Sequence, residues 1–410
     1  MKTMKVALLA TAALAAVSVS ARADDTAAIK AQLEALTARI AQLEAAPAAP
    51  VGYSLLTITE APATQVPGMP NLNRGYSDTA TVVGILPTAD VPATTSIEWS
   101  GYVRAALVFS DGPSVYQGED NDTDIYARSQ LKVVAKTDTA VGEVGALISL
   151  RSNFDGKSSG SSSYVYYTRG TYVNDAWGWW QMTPELTFGG GYSGSAGNVG
   201  YGYDGACTCY YTDWADVAFN PGDTTQFRLT WASGPIAASI AIEDGSGQGA
   251  KWGDFKSMGV AGNIKWTGDT FNAALYGEAK DDGDHGPNDT IYQLGAGAGF
   301  SLGDMLALSV AGAIGQTEDN NDWWGVSGLA SINLAETAFL ELGAGYKDYD
   351  GDSNPPLGPG TSEHTVTSFL GGLYYRPADQ LTIGLEGEWI DDESASDNSS
   401  IIDFVTKWQF

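Results

Sequence analysis

Cysteine is scarce in this chain, with two among 410 residues. A chain of this length with so few cannot be a disulfide scaffold, even in an oxidising compartment. Histidine is as rare, His285 and His364 being the only two, and no G-x-S-x-G nucleophile elbow occurs, since "GYSGSAG" fails it by position. A hydrolase would have to rest on a Ser–His dyad involving one of those two histidines. Basic residues are outnumbered, 21 Lys and Arg against 49 Asp and Glu, for a formal charge of -28. Such a polyanion repels nucleic acid and anionic lipid head groups and attracts divalent cations. Long apolar runs are missing too. Beyond the N-terminal stretch nothing approaches the ~18 apolar residues that a membrane-spanning helix needs.

What is present begins with a processing signal. Residues 1–23, "MKTMKVALLATAALAAVSVSARA", join a basic n-region (Lys2, Lys5) to an apolar run too short to span a bilayer, and Ala21-Arg22-Ala23 fits the small-x-small cleavage rule. Export and cleavage are expected. Three basic residues and no acid leave with the segment, so the charge moves from -28 to -31. Residues 24–46 follow, where Ile29, Leu33, Leu36, Ile40 and Leu43 step by 4, 3, 4 and 3 residues, a heptad seam among polar neighbours. A helix this short is marginal alone in water. The stiff spacer after it (Pro47, Ala48, Ala49, Pro50) offers no surface to pack on. A short coiled coil is therefore expected rather than an amphipathic helix lying on its own protein; the Ile/Leu mix leaves the strand number open. Residues 47–95 are rich in Pro and Thr. There "YSLLTITE" and "TATVVGILPTAD" have strand composition, and the segment either lines the inside of the later structure or hangs below it as a linker.

From Ser96 to Phe410 the chain keeps one rhythm. "SIEWSGYVRAALVFS" sets Ile97, Trp99, Val103, Leu107 and Phe109 on one face and Glu98, Tyr102 and Arg104 on the other. "DIYARSQLKVVAK" separates Ile125, Ala127, Leu131 and Val133 from Asp124, Arg128, Gln130 and Lys132. "TQFRLTWAS", "FNAALYGEAK", "LTIGLEGEWI" and "IIDFVTKWQF" behave likewise. A period of two means strands. Short turn-forming links ("TDTAVG", "SGP", "TGDT", "LGD", "LAET", "PADQ") alternate with long acidic or Gly/Ser-rich ones. Pairing short with long gives about sixteen strands, an even number as closed membrane barrels require. One link, about residues 193–223 between the fifth and sixth of these strands, is oversized.

The apolar face of so many strands is too large for one enclosed core, and no helices remain to cover it. Inverting the sheet solves this: a closed barrel turns its apolar side chains to lipid and its polar ones to a wet lumen, and closure satisfies every backbone group. The fold expected is all-β, a transmembrane antiparallel β-barrel of about 16 strands with a short N-terminal coiled-coil helix. Trp99, Tyr192, Trp231, Trp266, Tyr292, Trp324, Tyr346, Trp389 and Trp408 fall near strand ends, where interfacial girdles belong. The last strand must pair with the first to remove both edges. Its alternating Phe404, Trp408 and terminal Phe410 look like the signal that outer-membrane barrels present to the barrel assembly machinery.

At "WSGYVRAALVFS", followed by "NDTDIYARSQLKVVAKTDTAVGEVGALISLRSN", the chain resembles the general porins of alphaproteobacteria. Their pattern has a Gly-Tyr-Val-Arg first strand, an Asp-x-Tyr-Ala-Arg second strand and a Thr-x-Thr turn before a Gly-rich third. The resemblance is carried by Trp99 to Asn153, and by rhythm alone to Phe410. The stretch from Val51 to Thr95 departs from it, lacking the cysteine pair that several members carry there. The resemblance implies a homotrimer of sixteen-stranded barrels in the outer membrane of a Gram-negative bacterium, each passing small hydrophilic solutes and ions by passive diffusion. It also implies a third outer loop folded inward, the place of the oversized link, and a heptad helix tying three chains together on the periplasmic side.

Alternation puts Arg104, Arg128, Lys132, Arg151 and Arg228 on the lumen face, Arg104 and Arg128 also matching the family's strand motifs. The inward loop carries Asp204, Asp213 and Asp216 with Tyr203, Tyr211 and Trp214. Arginines facing carboxylates would set a transverse field across the opening, or simply pair to pin the loop. In the same loop Cys207 and Cys209 could close a small strained disulfide, take a soft metal, or stay reduced; with no histidine nearby in sequence, zinc is not expected. "DYDGDSN" lacks the late Glu of a calcium loop, so the outer links are solvated and repulsive, with Ca2+ or Mg2+ bridging to lipopolysaccharide phosphates as a secondary expectation. No cofactor and no enzymatic activity are expected. The rival functions are a substrate-specific channel, for sugars for example, or less so a barrel hydrolase or adhesin.

Overall fold

The computed structural model describes residues 56–64, 66, 79–85, 95–112, 122–155, 171–198, 222–244, 258–281, 290–316, 322–352, 362–393 and 398–410. The signal segment, the heptad seam, the two cysteines and most of the oversized link lie outside the described residues, as do the long acidic links. Every regular element among the described residues is a strand. No helix there is long and apolar enough to cross a membrane, which says nothing of crossing by strands.

The alternating segments pair in chain order, each antiparallel to the next. The first run is β3 (Thr95–Asp111), β4 (Asp122–Thr139), β5 (Gly142–Asp155), β6 (Thr171–Gln181) and β7 (Leu186–Gly194). Next come β8 (Asp223–Ser233), β9 (Ile236–Asp244), β10 (Met258–Thr267), β11 (Phe271–Asp281) and β12 (Thr290–Leu302). The run ends with β13 (Leu306–Gln316), β14 (Asp322–Ala335), β15 (Ala338–Asp352), β16 (Ser362–Ala378), β17 (Leu381–Asp392) and β18 (Ser399–Gln409). Strand β18 then pairs back onto β3, from Ser400↔Asp111 to Gln409↔Tyr102, and closes the ring. Of eighteen strands in the sheet, two stand apart from the ring, β1 (Leu56–Pro62) and β2 (Thr79–Ile85); sixteen make the barrel. Closure leaves the ring without an exposed edge, so each of its sixteen strands meets two neighbours and its backbone is satisfied in lipid.

Short links gather at one end of the ring. Gly234 and Gly303 sit there with φ of 57° and 58°, the left-handed region that a tight hairpin demands and glycine adopts without a steric penalty. At the same end the chain terminus is tied down: the Phe410 N–H donates to the Gly101 carbonyl at 3.0 Å, and the Gly101 N–H donates to the Phe410 carbonyl at 2.9 Å. Below that point the edge of β3 is taken over by β2, which pairs with Thr95–Trp99 while β1 pairs outside β2. One edge of β3 thus serves two partners in succession.

Polarity is inverted relative to a water-soluble protein. Phe227 (65 %), Leu275 (59 %) and Ile240 (58 %) stand exposed on the outer wall, while Glu243, Glu341, Glu386 and Asp403 are almost wholly covered on the inner one. Trp99, Trp231, Trp266 and Trp408 are exposed toward the short-turn end, and Tyr292, Trp324 and Trp389 toward the other. Outward rings also meet across strands: Phe188 stacks with Phe227 at 6.1 Å, and Trp324 lies 5.3 Å from Tyr346. These are the two aromatic belts of a barrel whose apolar band faces hydrocarbon.

The glycines of the inner wall receive rings. A Cβ at Gly295 would collide with Tyr276, one at Gly315 with Trp323, one at Gly145 with Trp179, one at Gly189 with Trp177, and one at Gly372 or Gly384 with Tyr374. Each aromatic therefore lies flat on a neighbouring strand instead of standing out into the lumen, and each is nearly fully covered. Tyr374 adds a stack with Phe339 at 4.7 Å and a hydroxyl bond to Glu386 at 2.9 Å.

Candidate functional site

The inner wall sorts its charges by strand register. Lys407 on β18 pairs with Arg104 on β3, and Arg104 pairs with Arg128 on β4, so three cations follow one another along a single row. The Arg128 Nε donates to Asn153 Oδ1 at 2.6 Å, and Arg151 Nη2 donates to Gln130 Oε1 at 3.3 Å. These bonds hold both guanidinium groups against β4 and β5. Lys132 occupies the next inward position on β4 after Gln130, between Ser100 and Ser149 of the flanking strands. Lys407 also rides over the Tyr102 ring at 5.4 Å, a cation–π contact.

Arg228 serves a different purpose. Its guanidinium is buried on β8, donates to the Gly194 carbonyl and to Gln226 Oε1, and lies 5.4 Å from the Trp177 ring. Gln226 Nε2 in turn donates to the carbonyls of Ser193 and Gly194 at 3.1 and 2.9 Å. Together they grip the point where the oversized link leaves β7. Its first residues then lie along the inside of the wall. Ser195 is fully covered, and its hydroxyl donates to the Glu243 carboxylate on β9 at 2.8 Å. The Ala196 N–H donates to Glu243 Oε1 at 2.6 Å, and Asn263 on β10 donates to the Ala196 carbonyl at 2.6 Å. Ala196 packs on Ala241 and Ala261, small residues that leave room for a backbone to approach. The Ser195 N–H reaches the Gly222 carbonyl at 2.9 Å, so the two ends of the link are joined at its base. Lys280 on β11 balances the carboxylates, 2.7 Å from Glu278 and 3.6 Å from Glu243.

Asp204, Asp213, Asp216, Tyr203, Tyr211, Trp214, Cys207 and Cys209 belong to the part of the link outside the described residues. The sequence reading assigns acids to that link and bases to the wall. The wall itself carries acids that this division misses: Glu341 on β15, Glu386 and Glu388 on β17 and Asp403 on β18 are all buried on the inner face. Glu386 pairs directly with Asp403 in register, and Gly372 between β15 and β17 brings Glu341 into the same row. The signal is present in the sequence, since Glu386 and Glu388 alternate with the outward Leu385 and Trp389. Along β18 the acid and basic rows are separated by the four residues from Asp403 to Lys407, roughly 13 Å at ~3.3 Å per residue. His364 stacks on Tyr349 at 4.6 Å, which gives it a packing role on β16.

Residues 91–408 match the family model of the porin subfamily. No curated protein sequence matches the chain. Among solved structures, OmpTdeltaL8, a loop L8 deletion mutant of OmpT, an outer membrane protein of Vibrio cholerae, aligns with a TM-score of 0.55 at 14% identity, over 77% of this chain and 99% of that one. A triple mutant of the Rhodopseudomonas blastica porin aligns with a TM-score of 0.52 at 16% identity, over 77% of this chain and 100% of that one. A second triple mutant of that porin gives 0.52 at 17% identity with the same coverage. At these identities the likeness is one of fold.

Proposed function

The chain belongs to the porin subfamily and forms a channel in the outer membrane of a Gram-negative bacterium; on that premise we propose that it passes small hydrophilic solutes and ions by passive diffusion. The observation that carries the proposal is the inverted wall: a closed ring of sixteen strands with exposed Phe, Leu and Ile outside and charged rows inside. Family and fold point to a channel rather than an enzyme.

Arg104, Arg128, Lys132 and Arg151 form the basic side of the passage in this proposal, and Arg228 anchors the link that narrows it. Asp204, Asp213, Asp216, Tyr203, Tyr211 and Trp214 of that link would supply the opposing acids and aromatics, and the wall carboxylates Glu341, Glu386, Glu388 and Asp403 add a second negative surface. A dipolar solute would orient in the field between these rows. Three such chains assemble as a homotrimer, joined at the heptad seam in the periplasm, where three barrels side by side raise the effective concentration of the short helices. Ca2+ or Mg2+ held between the acidic outer links and lipopolysaccharide phosphates would steady the outer rim. Phe404, Trp408 and Phe410 form the strand offered to the assembly machinery. A sugar-specific channel would want exposed stacking faces; the lumen aromatics described above are pressed onto glycines, which favours the general channel.

Planar-bilayer recording of the purified protein tests the proposal. Large, steady conductance steps in multiples of three are expected. Absence of conductance, or block by one solute at low concentration, would overturn it.

A further inference from the structure

The hairpin of β1 and β2 hangs on β3 below the point where β18 ends, and the chain leaving β1 does not stay outside. Thr64 reaches the inner face: its N–H donates to Glu98 Oε2 at 3.1 Å and its hydroxyl to Glu98 Oε1 at 2.5 Å. Lys136 on β4 completes a three-way latch, 3.1 Å from the Thr64 hydroxyl and 3.2 Å from Glu98 Oε1. Two residues on, Val66 is 7 % exposed and packs in a cluster with Val134, Leu147, Trp177 and Trp179. All four belong to the inward faces of β4, β5 and β6, since their outward neighbours Ile148 and Trp180 are exposed. Val134 stands five residues before Thr139, where β4 ends at the short-turn rim, which places the seat of Val66 roughly 15 Å of strand inside that rim.

Two independent contacts hold this segment. The Glu98 carboxylate, buried at 5 % exposure, is satisfied by Thr64 and Lys136 together; without Thr64 a covered charge would lose two bonds. Val66 fills an apolar seat, one of several apolar patches on the inner wall. The register Pro62↔Thr79 returns the chain to the same place on the hairpin, so the excursion costs the barrel no pairing.

We propose that Thr64 and Val66 narrow the channel on the short-turn side of the link that leaves β7, and that they set the size of hydrophilic solute admitted there. The inference rests on the channel reading above. The segment brings no charge of its own at Ala63, Thr64 or Val66, so it restricts passage by volume, and its effect falls alike on cations and anions. The two restrictions adjoin, since the Trp177 ring that packs on Val66 also lies under Arg228: one is charged, held by Glu243, Gln226 and Arg228, and one neutral, latched by Glu98 and Lys136.

Two variants of the full chain test this by single-channel recording. In Thr64→Cys made on a Cys207→Ser, Cys209→Ser background, reaction with a bulky neutral thiosulfonate reagent should lower the current in steps, one for each barrel modified. Replacing residues 63–78 by Asn-Gly, which joins the paired Pro62 and Thr79 in a two-residue turn, should raise the single-channel conductance. Full modification of the introduced thiol, verified by mass, with an unaltered current would overturn the proposal. A wild-type protein that inserts without conducting would instead sink the channel reading itself, so the two failures are distinguishable. If the turn variant fails to assemble, the Thr64→Cys result decides alone.

Discussion

Gly295→Ala is a change of one methyl group with a readable outcome. Tyr276 pairs with Gly295 across β11 and β12. A Cβ at Gly295 would lie 2.2 Å from the ring's Cε2 and 2.6 Å from its Cζ, whereas unstrained carbon contacts need ~3.5–4.0 Å. The ring must therefore move by more than an ångström. It cannot move deeper, because the wall is behind it and Ala274, Ala313, Trp323 and Tyr349 pack around it. It can only swing toward the lumen. We expect Gly295→Ala to cost about 1–3 kcal/mol, the range for overpacking a filled site, and to lower single-channel conductance because a phenol ring now stands in the passage. Tyr276→Ala removes the same ring and leaves a void, at roughly 3 kcal/mol. The double variant should cost at least ~1 kcal/mol less than the two singles added, since the new methyl then occupies vacated space. Urea unfolding midpoints of barrels refolded into detergent micelles give the energies, and bilayer recording gives the conductance. If the two costs add to within ~0.5 kcal/mol and Gly295→Ala conducts like the parent, the flattened-ring account is wrong.

Other perturbations separate the wall's parts. Arg104→Glu or Arg128→Glu reverses a charge in the row continued by Lys407 and should move the permeability ratio toward cations; an unchanged reversal potential in a salt gradient would remove these residues from the passage. Glu243→Gln weakens the bonds to Ser195 and Ala196 by about 1.5–3 kcal/mol, so current noise at fixed voltage should rise as the base of the link loosens, and noise equal to wild type would deny that anchor. Leu275→Arg places a charge near the middle of the lipid-facing wall and should destabilise the folded barrel by ~2–4 kcal/mol in lipid vesicles; a neutral result would mean that this face does not meet hydrocarbon.

The barrel was legible in the sequence because strand alternation is local. In "SIEWSGYVRAALVFS" the period of two is enough to put Glu98, Tyr102 and Arg104 on one wall face and Trp99, Val103 and Leu107 on the other. The even strand count followed from turn chemistry, again local. Register is not local, and what depends on it was hidden. The strand-like "YSLLTITE" and "TATVVGILPTAD" had no visible partner, because their partner is the stretch of β3 left over when β18 stops at Gln409. Tyr276 on Gly295, or Trp323 on Gly315, likewise requires knowing which residues face each other across strands. The carboxylates of β17 were readable by alternation and were passed over, because the basic residues clustered in the early strands suggest a wall of one sign.

The wall carboxylates matter for how the channel sorts ions. If all the acid lay on the inward link, the field across the passage would depend on a segment hung from Ser195 and Gly222. The strand registers build a second field into the wall. Lys407, Arg104 and Arg128 lie in one row, Glu386 and Asp403 in another, and β18 contributes to both. Because hydrogen bonds along the whole strand fix that register, slipping it by one residue would turn every one of these charges into lipid and every outward Phe and Ile into water. The geometry that makes the barrel stable in the membrane is thus the same geometry that sets these charged rows around the lumen. The wall possesses a polarity of its own, so removal of the link should tune the selectivity of the channel without abolishing it.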